Sequence, residues 1–432
     1  MSDETRRLEE MARSYKPTIN IARAPGPMAP AFFLALGWFF LAWAGVALLH
    51  QAPALAANNW AAPGVLGLMH LYTLGFLTMT MSGLLYQWIP VVFDRPPVEP
   101  VMAWSQGILY TIGVTLLVAG MRGAGAGWMA AGGTVTAAAL VWLTWLDARR
   151  VLTSPRRPDA LTALILAALA GLNLTWLWGL TMAFGFSLGR PAPYYVLGLH
   201  ISTALVAWVA TLVMGVELKL VPMFTMARVE GQRVAGPPVL AWAGLFLFWL
   251  AGEVPALLNA AAGLWMLAAL WTGRQLWTIG RSGRAPAFDR VLVGVIAGWV
   301  LWFLAALALP ADPALAVELM FGGALLFILG YQSRILPFIA AVALARRMPG
   351  PPQKAFFIAR QLGPAQGAVV STILGTLLVL ALGWGVTAGS ISAVRLAGAL
   401  VLLLLAAHIG SLAGAAWVGY RGGRPQTGGR PD

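Results

Sequence analysis

Long apolar runs recur from about residue 30 to about residue 420, with no polar block of domain size between them. Apolar residues make up 59% of the chain and charged residues 10%, where a soluble domain carries about 25% charged residues. The bilayer is therefore the solvent for most side chains. Backbone N–H and C=O groups find no water there, so each spanning segment must be a helix or part of a closed barrel. The runs reach about 20 residues or more and do not alternate, which selects helices. The expectation is an all-α, polytopic integral membrane protein. With no cysteine in the chain, disulfides, thiolate metal sites, iron–sulfur clusters and thioether-linked haem are excluded.

Hydropathy and turn residues predict twelve spans, near 31–50, 63–91, 101–121, 125–146, 160–186, 194–224, 237–257, 259–276, 291–309, 314–343, 366–387 and 392–419. Pro96-Pro97, Ser154-Pro155, Gly236-Pro237-Pro238 and the prolines from Pro349 to Pro352 punctuate the connections. The segment before residue 31 is charged and Pro-containing and has no short apolar stretch with a cleavage site, so the first span is expected to direct insertion. With the N-terminus inside, only Arg122, Arg190 and Arg395 of the 28 Lys and Arg residues face outward. That asymmetry fits a cytoplasmic (inner) membrane protein with both termini, 1–30 and 421–432, in the cytoplasm. It also accounts for the net charge of +13 through attraction to anionic lipid rather than nucleic acid.

Three spans carry one pattern. Gly83-Leu-Leu-Tyr-Gln87-Trp-Ile-Pro90 closes the second, Gly215-Val-Glu217-Leu-Lys219-Leu-Val-Pro222 the sixth, and Gly330-Tyr-Gln-Ser-Arg334-Ile-Leu-Pro337 the tenth. In each, Gly precedes Pro by seven residues, an aliphatic residue precedes Pro, and a polar or basic residue sits three before it. The prolines are 132 and 115 residues apart, about four spans each time. The chain thus reads as three four-helix units, about 31–150, 151–285 and 286–420, in a pseudo-threefold arrangement. Sites in membrane proteins built of repeats tend to lie between the repeats.

The stretch from His70 to Pro90 resembles the second helix of the haem-copper oxidase subunit I superfamily. His200 to Pro222 is similar to its sixth helix, and Gly330 to Pro337 to its tenth. The NnrS family of nitric-oxide-response proteins, also with twelve spans, resembles the chain nearly as well. The resemblance implies a low-spin haem on His70 and a copper on His200. It also requires a His pair on the seventh helix and His-x-His on the tenth. The seventh span has no His, and on the tenth Glu318 and Met320 are the only plausible ligands. Four histidines in the whole chain cannot supply the oxidase ligand set, so oxygen or nitric oxide reduction at a haem–copper pair is not expected.

Ionisable groups inside a membrane are costly and mark candidate sites. His70 and His200 lie at similar depth, roughly 10 Å below the outer surface at about 1.5 Å rise per residue. Imidazole suits iron, copper and zinc. Two imidazoles could hold a haem b, and with His50 they could form a three-His metal site. His408 lies mid-span in the twelfth helix and needs a partner in space. Glu253 and Glu318 are candidate ligands or proton carriers. Glu217 and Lys219 read as interfacial, with an ion pair to a neighbouring helix. Met69, Met79 and Met81 flank His70 and could offer thioethers to copper. The sequence thus predicts haem b and/or copper near the outer face, serving nitric oxide response, copper handling or electron transfer with a redox partner or an oxidase-type subunit. The alternative is a cofactor-free secondary transporter using Glu217, Lys219, Glu253 and Glu318.

Overall fold

The computed structural model describes residues 21–225, 227, 235–252, 254–282, 290–345, 359, 362–363 and 365–422. Glu253, Pro349 to Pro352 and most of both tails lie outside the described residues. Among the described residues, a short 3-10 turn, Ile21–Arg23, precedes twelve apolar helices. These are α1 (Met28–Ala56), α2 (Pro63–Val92), α3 (Pro100–Ala124), α4 (Ala126–Leu152), α5 (Ala160–Ser187) and α6 (Tyr195–Thr225), then α7 (Gly236–Ala251), α8 (Pro255–Ser282), α9 (Val291–Ala308), α10 (Pro313–Ala345), α11 (Ala365–Thr387) and α12 (Ile391–Gly422). Ten are long and apolar enough to cross a membrane; α7 and α9 are shorter apolar helices. The chain is an all-helical, multi-pass membrane protein. Large apolar side chains such as Phe39, Trp145, Leu177, Phe246 and Trp384 point outward, where acyl chains meet them.

The turn at Gly123-Ala-Gly125 joins α3 to α4, with both glycines at φ 116°, a region that side-chain-bearing residues avoid. The seventh helix stops at Ala251, short of the expected residue 257. Gly252 turns the chain at φ 42°, and Pro255 opens α8, a helix position that needs no N–H. The three shared prolines do not end their helices. Pro90, Pro222 and Pro337 lie inside α2, α6 and α10, which run on to Val92, Thr225 and Ala345. A proline removes one backbone bond, and packed neighbours in a bundle tolerate that loss.

The shared glycines explain the repeat in packing terms. A Cβ on Gly83 would collide with Phe33 of α1, and one on Gly215 would touch Ile165 and Leu164 of α5. Gly330 faces Gly294 of α9. In each unit the second helix therefore lies close against the first at this point, as small residues permit in membranes. The same set of packings recurs along the chain: α1 on α2, α5 on α6 and α9 on α10, then α3 on α4, α7 on α8 and α11 on α12. The second helix of each unit also touches the fourth, and the fourth packs on the first of the next unit, with α12 closing on α1.

The three proline-bearing helices are the most buried of the ten long ones. They meet at a narrow apolar cavity of about 70 Å³. Trp88, Leu220 and Ile335, each two residues before the shared proline, line it together. So do Met81, Val213 and Ile328, each nine residues before it.

Candidate metal centre and the buried polar groups

α2 and α6 have the same irregularity. Leu71–Thr78 in α2 and Thr203–Ala210 in α6 wind as π-helix. The two segments are offset by 132 residues, as are the shared glycines and prolines of these helices. No residue is identical between them, so their common form comes from packing. Wide π turns inside α-helices concentrate at functional sites. His70 directly precedes the first segment, and His200 lies in the last turn before the second.

The structure brings these two histidines together. Their ring centres are 6.1 Å apart, and the ring planes lie within 17° of parallel. His70 Nδ1 is 2.9 Å from the Leu66 carbonyl in its own helix. His200 Nδ1 is 3.0 Å from the Thr175 carbonyl on α5. A carbonyl only accepts, so each Nδ1 carries the proton and donates it. Each Nε2 is then left as the lone-pair nitrogen, the arrangement that orients a histidine for a metal. Gly179 makes room for the His200 ring, since a Cβ there would lie 3.2 Å from its Cε1. Gly67, one turn before His70, lets the Arg122 side chain lie against α2.

The remaining sequence candidates stand elsewhere. His50 is exposed on α1. Met69 is half-buried beside His70, while Met79 and Met81 are buried. Among the described residues, no group of three or more His, Asp and Glu side chains converges as a metal cage. The three-His set of His50, His70 and His200 therefore does not form in this arrangement. Met320 is buried, and its carbonyl accepts from Trp302 Nε1 at 2.9 Å. Glu318 is 5% exposed near the start of α10, and its Oε1 has no hydrogen-bond partner.

His408 is fully buried with both nitrogens engaged. Nε2 lies 3.0 Å from Gln332 Oε1, and Nδ1 lies 3.3 Å from Ser371 Oγ. Gln332 Oε1 also accepts from Trp38 Nε1 at 3.0 Å, and the Trp38 ring stands edge-on to the imidazole. The network ties α12 to α10, α11 and α1. An imidazole with both nitrogens used in this way is a structural group.

Glu217 is not interfacial. It is 2% exposed, and its carboxylate accepts from Trp299 Nε1 on α9 at 3.0 and 3.3 Å. The ion pairs among the described residues are Arg23–Asp94 and Arg156–Asp159, so Glu217 is held by neutral groups. Lys219 is half-buried. Asp147 of α4 did not stand out in the sequence, since it sits just before Arg149 and Arg150 at a span end. It is completely buried, with neither carboxylate oxygen hydrogen-bonded. It lies three residues before Arg150, and its burial arises from the packing of the bundle, which the sequence does not display. No family model matches the chain, and no curated protein sequence matches it.

Proposed function

We propose that the chain is an oxidase-like membrane protein that binds haem b or copper between His70 and His200. The observation that carries this reading is the geometry of the pair. The two rings form a stacked pair with centres 6.1 Å apart and planes within 17° of parallel, and two metal–nitrogen bonds of about 2.0–2.1 Å each span a gap of this order. Both Nδ1 atoms are already committed to carbonyls, so ligation needs no new tautomer. Two neutral nitrogens suit iron or copper, as in a bis-histidine haem or a two-coordinate copper.

The pseudo-threefold, oxidase-like arrangement is supported by the cyclic order of packings and by the cavity between equivalent positions of α2, α6 and α10. Bound haem or copper would supply one-electron chemistry or capture of a small gas. The protein's own part is to hold the two imidazoles at fixed spacing and orient them through Leu66 and Thr175. With four histidines in the chain the full oxidase ligand set cannot form, and the proposed role is nitric oxide response, copper handling or electron transfer in the inner membrane, with a redox partner or oxidase-type subunit. The test is a reduced-minus-oxidised visible spectrum with elemental analysis, on protein purified from cells supplied with iron and copper. A sharp α-band, or stoichiometric copper, that disappears in His70→Ala and in His200→Ala is the expected result. A colourless, metal-free protein would reject it.

A second reading, a secondary transporter, is favoured by the buried carboxylates Glu217 and Asp147, which have no ion-pair partner among the described residues. Such groups suit proton carriers. Substrate uptake driven by a pH gradient in proteoliposomes, lost in Glu217→Gln, would establish it.

A further inference from the structure

A cavity of about 490 Å³ opens at the end of the bundle where α2, α6 and α10 begin. Its walls come from three connections at once. Asn58 and Trp60 follow α1, Asp312 precedes α10, Thr387 ends α11 and Gly389 follows it. Glu318 completes the wall from inside α10. No lysine or arginine lines it.

Glu318 presents a problem that the fold leaves unsolved. The residue is 5% exposed, and Oε1 has no hydrogen-bond partner. Asp312 shares the cavity and acts on Glu318 as a second negative charge. Asp312 itself is fixed, because its Oδ1 accepts from the Leu315 backbone N–H at 3.0 Å. A buried carboxylate is strongly disfavoured unless a cation, a proton or hydrogen-bond donors compensate it. Asn58 Oδ1, an acceptor like the carboxylates, receives the Trp60 Nε1–H. Gly383 shapes the pocket from behind, since a Cβ there would lie 3.1 Å from Glu318 Oε1.

We propose that this cavity binds a hard divalent metal cation, coordinated by Glu318 and Asp312. The lining offers oxygen ligands only: two carboxylates, the Thr387 hydroxyl and loop carbonyls. Oxygen sets select calcium, magnesium or manganese over copper and zinc. A water occupies about 30 Å³, so the cavity has room for an ion that keeps part of its hydration shell. The site is independent of the His70–His200 pair in its residues and in its preferred metal. By bridging the α1–α2, α9–α10 and α11–α12 connections, the ion would tie the ends of the first and third units together.

The experiment uses the full chain in detergent and manganese as the probe, read by its electron paramagnetic resonance signal. Wild type is expected to bind one manganese ion per chain. Glu318→Gln should weaken binding at least tenfold, and Asp312→Asn, which keeps the helix cap, should weaken it by a smaller factor. His70→Ala should leave it unchanged. Thermal unfolding controls for folding: manganese or calcium should raise the wild-type Tm and leave that of Glu318→Gln where it was. Absence of manganese binding to wild type at millimolar concentration would overturn the proposal, as would binding that Glu318→Gln leaves intact. Either failure would assign the neutralising charge to a proton and would not touch the His70–His200 reading.

Discussion

Histidine plays two physical roles in this chain, and the use of its nitrogens separates them. In His408 both nitrogens are consumed by Gln332 and Ser371, and the side chain joins four helices. In His70 and His200 one nitrogen is fixed and the other is left with its lone pair. Replacing His408 by Leu would remove both contacts, leaving Gln332 Oε1 with Trp38 alone and Ser371 Oγ without its imidazole partner, at about 1–3 kcal/mol. The expected outcome is a lower Tm in detergent with unchanged metal content. His70→Ala should do the reverse, removing metal with little loss of apo-protein stability. The sequence supplied the candidates, because ionisable side chains in apolar runs are conspicuous. It did not separate His408 from His70, since Gln332 and Ser371 are 76 and 37 residues away. Glu217 shows the same limit. Lys219 nearby suggested a water interface, while its actual partner, Trp299, lies 82 residues on.

At the scale of the helix, glycine decides how closely neighbours approach. A Cβ on Gly132 of α4 would fall on the Leu117 backbone of α3, and one on Gly113 would strike the Thr136 backbone. Backbone cannot swing aside as a side chain can. Gly132→Val is therefore expected to destabilise by about 1–3 kcal/mol or more through overpacking. Gly127→Val, in the same helix with open space around it, should change Tm little; the paired melting curves check this contrast. Helix existence and most boundaries were legible, because an apolar run of span length admits few alternatives in lipid. The shared Gly-and-Pro pattern was legible too, although its prolines lie within helices rather than at their ends. The π segments were not. Leu71–Thr78 and Thr203–Ala210 have no identical residue, and each depends on a tight approach to the preceding helix: Gly75 against Phe40, and Ala207 against Gly171.

For the molecule as a whole, the order of packings explains how two histidines 130 residues apart in the chain become neighbours. The second helix of each unit is drawn inward, the close Gly contact fixes its depth on the first helix, and the equivalent π segments set the backbone just below each imidazole. The two rings then face each other at the end of the bundle where α2 and α6 begin. α10 has no histidine at these positions, so the proposed centre draws its nitrogens from α2 and α6 alone. α10 instead carries Glu318, in the oxygen-lined cavity near the same end.

X-ray absorption at the iron or copper edge of the purified protein addresses the His70–His200 centre most directly. The account predicts a metal with two imidazole ligands in the wild type and loss of that metal in either single alanine variant and in the double variant. A metal whose imidazole shells persist in the His70→Ala/His200→Ala double variant would contradict it.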